Sequence, residues 1–268
     1  MRIGNKDFDT KEHTYVMGIL NVTPDSFSDG GRYSNLDAAL KRAEDMMAEG
    51  AAILDIGGES TRPGHTQISS REEIERIVPI VEAVKKHLDI PVSVDTYKSS
   101  VAKAAIEAGA DMINDIWGLK ADPQMARLIA KHKVACCLMH NREDMEYNNF
   151  VSDLLKDLRE SVDIALKAGI RDDKIILDPG IGFAKTQEQN LLAMKHLGRL
   201  QQLGYPILLG SSRKSVIDHV LALPTEERLE GTLATTAQAV SCGCGFVRVH
   251  DVKENTRVIR MMEGILRA

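Results

Sequence analysis

The stretch Met17-Gly18-Ile19-Leu20-Asn21-Val22-Thr23-Pro24-Asp25-Ser26-Phe27-Ser28-Asp29-Gly30-Gly31 sets the reading of the whole chain. Val16 to Leu20 is a short apolar run with the composition of a buried strand. Asn21 ends the run, and Pro24, Gly30 and Gly31 punctuate the turn-rich segment after it. A polar side chain at the carboxyl end of a strand lies where α/β proteins hold their ligands. Asn21 is therefore a candidate site residue, and the same pattern recurs along the chain.

Further β-rich runs lie at Ala52–Gly57, Pro91–Asp95, Met112–Asp115, Val134–Met139, Lys174–Asp178, Pro206–Gly210 and Gly245–Val249. They are nearly continuous apolar runs, as expected of parallel strands buried on both faces. Helical patterns separate them, over 99–108, 124–132, 152–168, 187–203, 225–240 and 253–266. Ser34 and Ser69 each stand three residues before an acidic residue, the spacing of a helix start. Pro79 should kink or shift the helix that follows Ser69. About eight strand-plus-helix units of roughly 33 residues each fill the chain. That count favours a (β/α)8 barrel, the TIM-barrel architecture, over an open doubly wound sheet. The expectation is one α/β domain spanning 1–268, with a possible short N-terminal β-hairpin across the barrel floor.

Composition narrows the function. The 268 residues are 43% hydrophobic, enough for a sizeable core. The net charge of −5 argues against nucleic-acid binding, so an anionic ligand must meet a local basic pocket. No run approaches the roughly 20 apolar residues of a membrane span, and the N-terminus lacks a signal-peptide core. A cytoplasmic protein without membrane attachment is the expectation. The cysteines, at 136, 137, 242 and 244, lack zinc-site spacing and read as buried reduced thiols.

Nearly every strand ends in polar chemistry: Asn21, the 57–64 loop, Asp95, Asn114-Asp115, Met139-His140, Asp178, Ser211-Ser212-Arg213-Lys214, and Arg248 with His250. One such aspartate is ordinarily a cap or turn residue. A closed barrel, however, brings all of these positions to one mouth, where sites on this fold lie. Asp95, Asn114 and Asp178 are short acceptors suited to the amidine-like edge of a guanine or pterin. The glycines of Asp178-Pro179-Gly180-Ile181-Gly182-Phe183 permit close approach to a flat ring, or simply form a tight turn. Lys214, Arg248 and His250 form a basic end suited to phosphate, while Arg213 fits a phosphate contact or a structural ion pair.

Together, Asn21–Gly31, Asp55–Gly64, Leu177–Phe183, Ser212-Arg213-Lys214 and Arg248-Val249-His250-Asp251 resemble dihydropteroate synthase. The resemblance spans nearly the whole chain. It implies a (β/α)8 barrel that joins 6-hydroxymethyl-7,8-dihydropterin diphosphate to 4-aminobenzoate in folate biosynthesis, releasing diphosphate; because an electron-rich pterin ring can delocalise positive charge, a dissociative step is the expectation. It further implies pterin contacts at Asp95, Asn114, Asp178 and Lys214, with Met139 and Phe183 near the ring. Diphosphate contacts map onto Asn21, Arg248 and His250, with magnesium as cofactor at Asn21. The aminobenzoate pocket maps onto Phe27, Thr61, Arg62, Pro63 and Ser215, and loops around 22–33 and 59–68 are expected to close over the site. Asp95, Lys214, Arg248 and His250 are the catalytic candidates, and a homodimer is expected.

Many relatives follow the fifth strand with Met-His-Met-Gln-Gly, whereas this chain reads Met139-His140-Asn141-Arg142-Glu143. Leu233 stands where glycine is expected. Two alternatives compete. A methyltetrahydrofolate-binding methyltransferase domain would share the carboxylate and Asn edge but needs neither the basic end nor the Asn21–Gly31 loop. A non-catalytic pterin-binding protein could lose Asn21, Lys214, Arg248 or His250 without penalty, yet all four are present.

Overall fold

The computed structural model describes residues 1–22, 32–59 and 67–268. Strands β1 (Arg2–Ile3) and β2 (Lys6–Asp7) form an antiparallel hairpin. Eight further strands follow: β3 (Tyr15–Asn21), β4 (Ile53–Gly57), β5 (Val92–Asp95), β6 (Met112–Asp115), β7 (Ala135–Met139), β8 (Ile175–Asp178), β9 (Leu208–Leu209) and β10 (Phe246–Val249). They pair in the order β8-β7-β6-β5-β4-β3-β10-β9, each neighbour parallel. A parallel bridge between Leu177 and Ile207 joins the two ends, with Leu177 N donating to Pro206 O at 3.0 Å. The sheet is thus the (β/α)8 barrel expected from the strand count.

The surrounding helices are α1 (Arg32–Glu49), α2 (Ser70–His87), α3 (Ser99–Glu107), α4 (Met125–His132), α5 (Phe150–Lys167), α6 (Gln187–Lys195), α7 (Leu197–Leu200), α8 (Ser215–Leu221), α9 (Leu229–Ser241) and α10 (Val252–Leu266). Ser69 caps α2, its hydroxyl accepting from Glu72 N at 3.2 Å. Pro79 lies inside that helix without ending it. Ser34 is not a cap, because α1 already begins at Arg32. The pattern over 187–203 divides into α6, α7 and a 3-10 turn, and α8 is a short helix that periodicity did not reveal.

Strand alternation builds two cores. Leu54, Ile56, Val92, Val94, Ile113, Cys136, Leu138, Leu177, Val247 and Val249 point outward and pack in the layer beneath the helices. Met17, Ile53, Met112, Ala135, Cys137, Ile176, Leu208 and Phe246 point inward and fill the lower barrel. Ile3 and Phe8 join that inner cluster, so the N-terminal hairpin seals the floor. The Phe8 ring meets Tyr15 edge-on at 4.9 Å and lies 5.7 Å from Phe246. Cys136 and Cys137 therefore face opposite sides of β7, and all four cysteines are free thiols. Among the described residues no helix is long and apolar enough to cross a membrane.

The plug has a measurable consequence. Phe8→Ala removes a buried ring from the floor and should lower unfolding free energy by about 3 kcal/mol, read by urea denaturation. The same variant should leave substrate KM values unchanged, because Phe8 lies at the opposite end of the barrel from the strand termini.

Candidate active site

The inward parity that gives an apolar floor turns polar towards the carboxyl ends of the strands. Asp55 lies two positions above Ile53, Asp95 two above Ser93, Asn114 two above Met112, Asp178 two above Ile176 and Arg248 two above Phe246. Asp95 pairs in register with Gly57 on one side and Asn114 on the other. Met139 pairs with Asp178.

Arg248 is the hub. Its Nε donates to Asp55 Oδ2 at 2.5 Å, and its Nη2 donates to Asp95 Oδ2 at 2.6 Å. Asn114 Nδ2 adds a longer contact to Asp55 Oδ2 at 3.4 Å. Both carboxylates are buried, and neither Asp55 Oδ1 nor Asp95 Oδ1 has a hydrogen-bond partner among the described residues. Buried acceptors without partners are unfavourable, so they mark places where a donor belongs. Burial pushes the Asp95 carboxyl up to about 7; Arg248 pulls it down while Asp55 pushes it further up. Burial works against the charge on Arg248, but Asp55 and Asp95 outweigh it and raise its pKa.

Across the mouth, Asp178 Oδ1 accepts from Gly180 N at 2.7 Å. Burial raises the Asp178 pKa, with Lys214 opposing. A Cβ placed on Gly210 would stand 3.4 Å from Asp178 Oδ2 and 3.9 Å from Arg248 Cβ, so both side chains border this glycine. Lys214 Nζ donates to Ile181 O at 2.6 Å and lies 5.0 Å from the Phe183 ring centroid. Burial lowers the Lys214 pKa to about 8 against the pull of Asp178. A Cβ on Gly182 would come within 3.3 Å of Lys214 Cδ, so glycine there makes room for the lysine stem.

The mouth therefore gathers carboxylate and amide acceptors, with the Arg248 and Lys214 cations beside them. Residues 17–250 match the family described as pterin binding enzyme. The chain is 58% identical over 268 residues to the dihydropteroate synthase of Clostridium beijerinckii, covering all of both chains. It superposes with a TM-score of 0.95 on the dihydropteroate synthase of Clostridium difficile crystallised in the presence of pteroic acid, at 49% identity, over 98% of this chain and 100% of that one. The Xanthomonas albilineans dihydropteroate synthase with 4-aminobenzoic acid gives 0.92 at 39% identity, over 96% and 94% of the two chains.

The chain belongs to the dihydropteroate synthase family.

Of the residues that the family resemblance singles out, Asp95, Asn114, Met139, Asp178, Phe183, Lys214 and Arg248 are linked through these contacts and registers around the mouth. His250 follows β10, its Nδ1 2.9 Å from Ser212 Oγ, while its backbone N donates to the same oxygen at 3.2 Å. Ser215 opens α8, with its Oγ 3.4 Å from Gln187 Nε2. Asn21 is exposed at the end of β3, and its Oδ1 would lie 3.7 Å from a Cβ on Gly57. Phe27, Thr61, Arg62 and Pro63 lie outside the described residues, as do most of the two loops expected to close over the site. Arg213 forms a structural ion pair, its Nε and Nη2 on the two Asp251 oxygens at 3.0 and 2.5 Å.

Two residues that the sequence reading named but gave no role prove central. Asp55 opens the Asp55–Gly64 motif and stands as a carboxylate inside the apolar run Ile53–Gly57, which did not reveal its pairing with Arg248. His140, after β7, is nearly fully buried, with Nδ1 2.8 Å from Lys185 Nζ and Nε2 3.0 Å from Asp157 Oδ2. Burial lowers its pKa to about 4, with Asp157 opposing. Arg142, from the segment that departs from the family pattern, donates Nε to the same Asp157 oxygen at 2.6 Å. Asp157 is held below the usual carboxylate range: burial opposes this, but the His140 and Arg142 contacts prevail.

The sign of the His140 shift gives a pH dependence. Its folded pKa lies below its unfolded value, so the unfolded state binds more protons between them and stability falls as pH drops through that window. Urea denaturation of wild type and His140→Gln should show a constant difference above about pH 7, with wild type losing about 2–3 kcal/mol relative to the variant as pH falls to about 4. A pH-independent difference would contradict a neutral buried imidazole.

Proposed function

We propose that the protein condenses 6-hydroxymethyl-7,8-dihydropterin diphosphate with 4-aminobenzoate to give 7,8-dihydropteroate and diphosphate. The observation that carries this reading is that Asp178 and Arg248 lie on either side of Gly210 at the barrel mouth, with Asp95 Oδ1 lacking a partner among the described residues. A pterin presents a row of N–H donors along one edge. Asp178 and Asp95 would accept from that edge, Asn114 would both donate and accept, and Lys214 would donate to a ring acceptor. Met139 and Phe183 would cover the ring faces.

In this reading the bond between the pterin methylene carbon and the diphosphate oxygen breaks first, and the electron pair leaves with diphosphate. The electron-rich ring delocalises the resulting positive charge, and the nearby Asp95 carboxylate offsets it. The arylamine nitrogen of 4-aminobenzoate then bonds to the methylene carbon and loses one proton, which the released diphosphate or solvent takes up. Two donors of Arg248 are held by Asp55 and Asp95, while its Nη1 has no partner among the described residues. That donor and His250 would receive the departing diphosphate. Phe27, Thr61, Arg62, Pro63 and Ser215 would hold the aminobenzoate and exclude water. No nucleophilic serine or cysteine is needed.

Among the described residues no three His, Cys, Asp or Glu side chains form a metal cluster. Magnesium commonly binds through one or two protein oxygens together with substrate phosphates and water. The exposed carboxamide of Asn21, on the side of the mouth near Asp95, fits a metal held mainly by the diphosphate. When bound there, magnesium would neutralise charge on the leaving group. We also propose a cytoplasmic homodimer, supported by exposed apolar side chains at Val220 and Leu221 of α8 and at Met261, Ile265 and Leu266 of α10.

Added 4-aminobenzoate should strongly accelerate diphosphate release, and release indifferent to the arylamine, or none with it, would reject the synthase reading. Asp95→Asn should lower kcat about 100-fold while weakening pterin binding less than about threefold, because its charge acts mainly on the transition state. Steady-state rates and calorimetric titration separate the two effects. A loss confined to binding would remove the charge-offset role.

A further inference from the structure

Lys185 is buried in the loop after β8, and its three ammonium hydrogens are matched by three acceptors. Its Nζ donates to Gly180 O at 2.9 Å and to Phe183 O at 3.0 Å, and lies 2.8 Å from His140 Nδ1. No donor remains for a ligand, so the lysine works on the protein itself. As Nδ1 accepts, His140 carries its proton on Nε2, which faces Asp157. Arg142 holds Asp157 from the far side and stacks 4.3 Å from the Tyr147 ring centroid. The Tyr147 hydroxyl returns to the same loop, donating to Ala184 O at 2.8 Å.

The loop held in this way has an unusual backbone. Gly180, Gly182 and Ala184 all have positive φ, at +69°, +86° and +43°. Alanine is disfavoured there, so surrounding contacts must maintain the conformation. The carbonyls of Gly180 and Phe183 take hydrogen bonds from Lys185, and that of Ile181 takes one from Lys214. Two cations thus grip one short turn at three carbonyls. The turn carries Asp178 at its start, through the Gly180 N–H, and Phe183 near its end. It also closes against β7: His140 N donates to Asp178 O at 2.8 Å, and a Cβ on Gly180 would run into the His140 carbonyl.

We infer that Lys185 is a positioning residue for pterin binding, setting the Asp178 carboxylate, the Phe183 ring and the Lys214 ammonium through the Gly180 and Phe183 carbonyls. His140, Asp157 and Arg142 form the chain that orients it. This inference rests on the pterin pocket proposed above. It also gives a role to the departure at Arg142, which supplies the outer cation of the chain.

The test uses the full-length protein with pterin diphosphate and 4-aminobenzoate as substrates. Lys185→Met keeps the side-chain length and removes the ammonium. It should raise the KM for pterin diphosphate at least about tenfold while changing kcat less than about threefold, the pattern of lost uniform binding. Asp157→Asn leaves the ammonium but loosens its orienter, and should raise the same KM about threefold, with the Lys185→Met/Asp157→Asn double variant no worse than Lys185→Met alone. Nitrogen NMR of His140 should show the Nε2–H tautomer in wild type, with Nδ1 accepting from Lys185, and an Nδ1–H tautomer would contradict the chain. Should Lys185→Met fail to fold, the Asp157→Asn kinetics and the tautomer decide.

A folded Lys185→Met protein with pterin KM within about twofold of wild type, or fully additive losses in the double variant, would overturn the inference. Asp178→Asn serves as the control. If it leaves pterin binding intact, the pocket itself is misread; if it weakens binding and Lys185→Met does not, only the role of Lys185 falls.

Discussion

One guanidinium between two buried carboxylates organises the mouth of this barrel. Arg248 joins β10 to β4 through Asp55 and to β5 through Asp95. Burying ions is unfavourable, and removing one partner from such a set typically costs about 3–5 kcal/mol because it strands the others. Each member is therefore intelligible only with the other two present. The cluster also carries more carboxylates than cations, which keeps acceptor capacity in excess at Asp55 Oδ1 and Asp95 Oδ1. A ligand rich in N–H donors relieves that excess. Stability and recognition thus draw on the same three side chains.

Opposite this cluster, the Gly180–Lys185 turn solves a different problem. Asp178 must be presented at the end of a strand without being drawn into a cap on the next helix. Thr186 takes over that capping, its side chain accepting from Gln189 N while Gln189 bonds back to Thr186 N. Asp178 instead accepts a single backbone bond from Gly180, with its second oxygen beside Gly210. Separating the capping residue from the binding carboxylate requires the intervening turn, and that turn in turn requires glycines and internal cations.

Much of this was legible in the letters. Short apolar runs each ending in a polar residue are local signals, and they located all eight barrel strands, although only Leu208–Leu209 of the 206–210 run forms ladder pairs. Ser69 was a readable cap because its partner Glu72 is three residues away. The hub was not readable in the same sense. Asp55 and Arg248 are 193 residues apart, and only barrel closure and register make them neighbours. Lys185 was silent for a similar reason: its meaning depends on His140, from a different strand end. Arg213 admitted two readings until Asp251 was found on its guanidinium. Composition announces which chemistry is available, whereas topology decides which groups meet.

The barrel is closed least firmly between β8 and β9, where a lone bridge at Leu177 and Ile207 stands in for a full ladder. Asp178 follows directly above this joint on one side, and Gly210 with the Ser211–Lys214 loop follows on the other. Asp178 and the Lys214 stem are therefore mounted on opposite sides of this lightly laddered joint, and the Lys214 ammonium crosses it to the Ile181 carbonyl. That hydrogen bond, at 2.6 Å, ties the two sides together where the ladder does not. A side chain thus supplies at the mouth the closure that strand pairing leaves incomplete below it, and the joint is pinned by one of the groups proposed to hold the ligand.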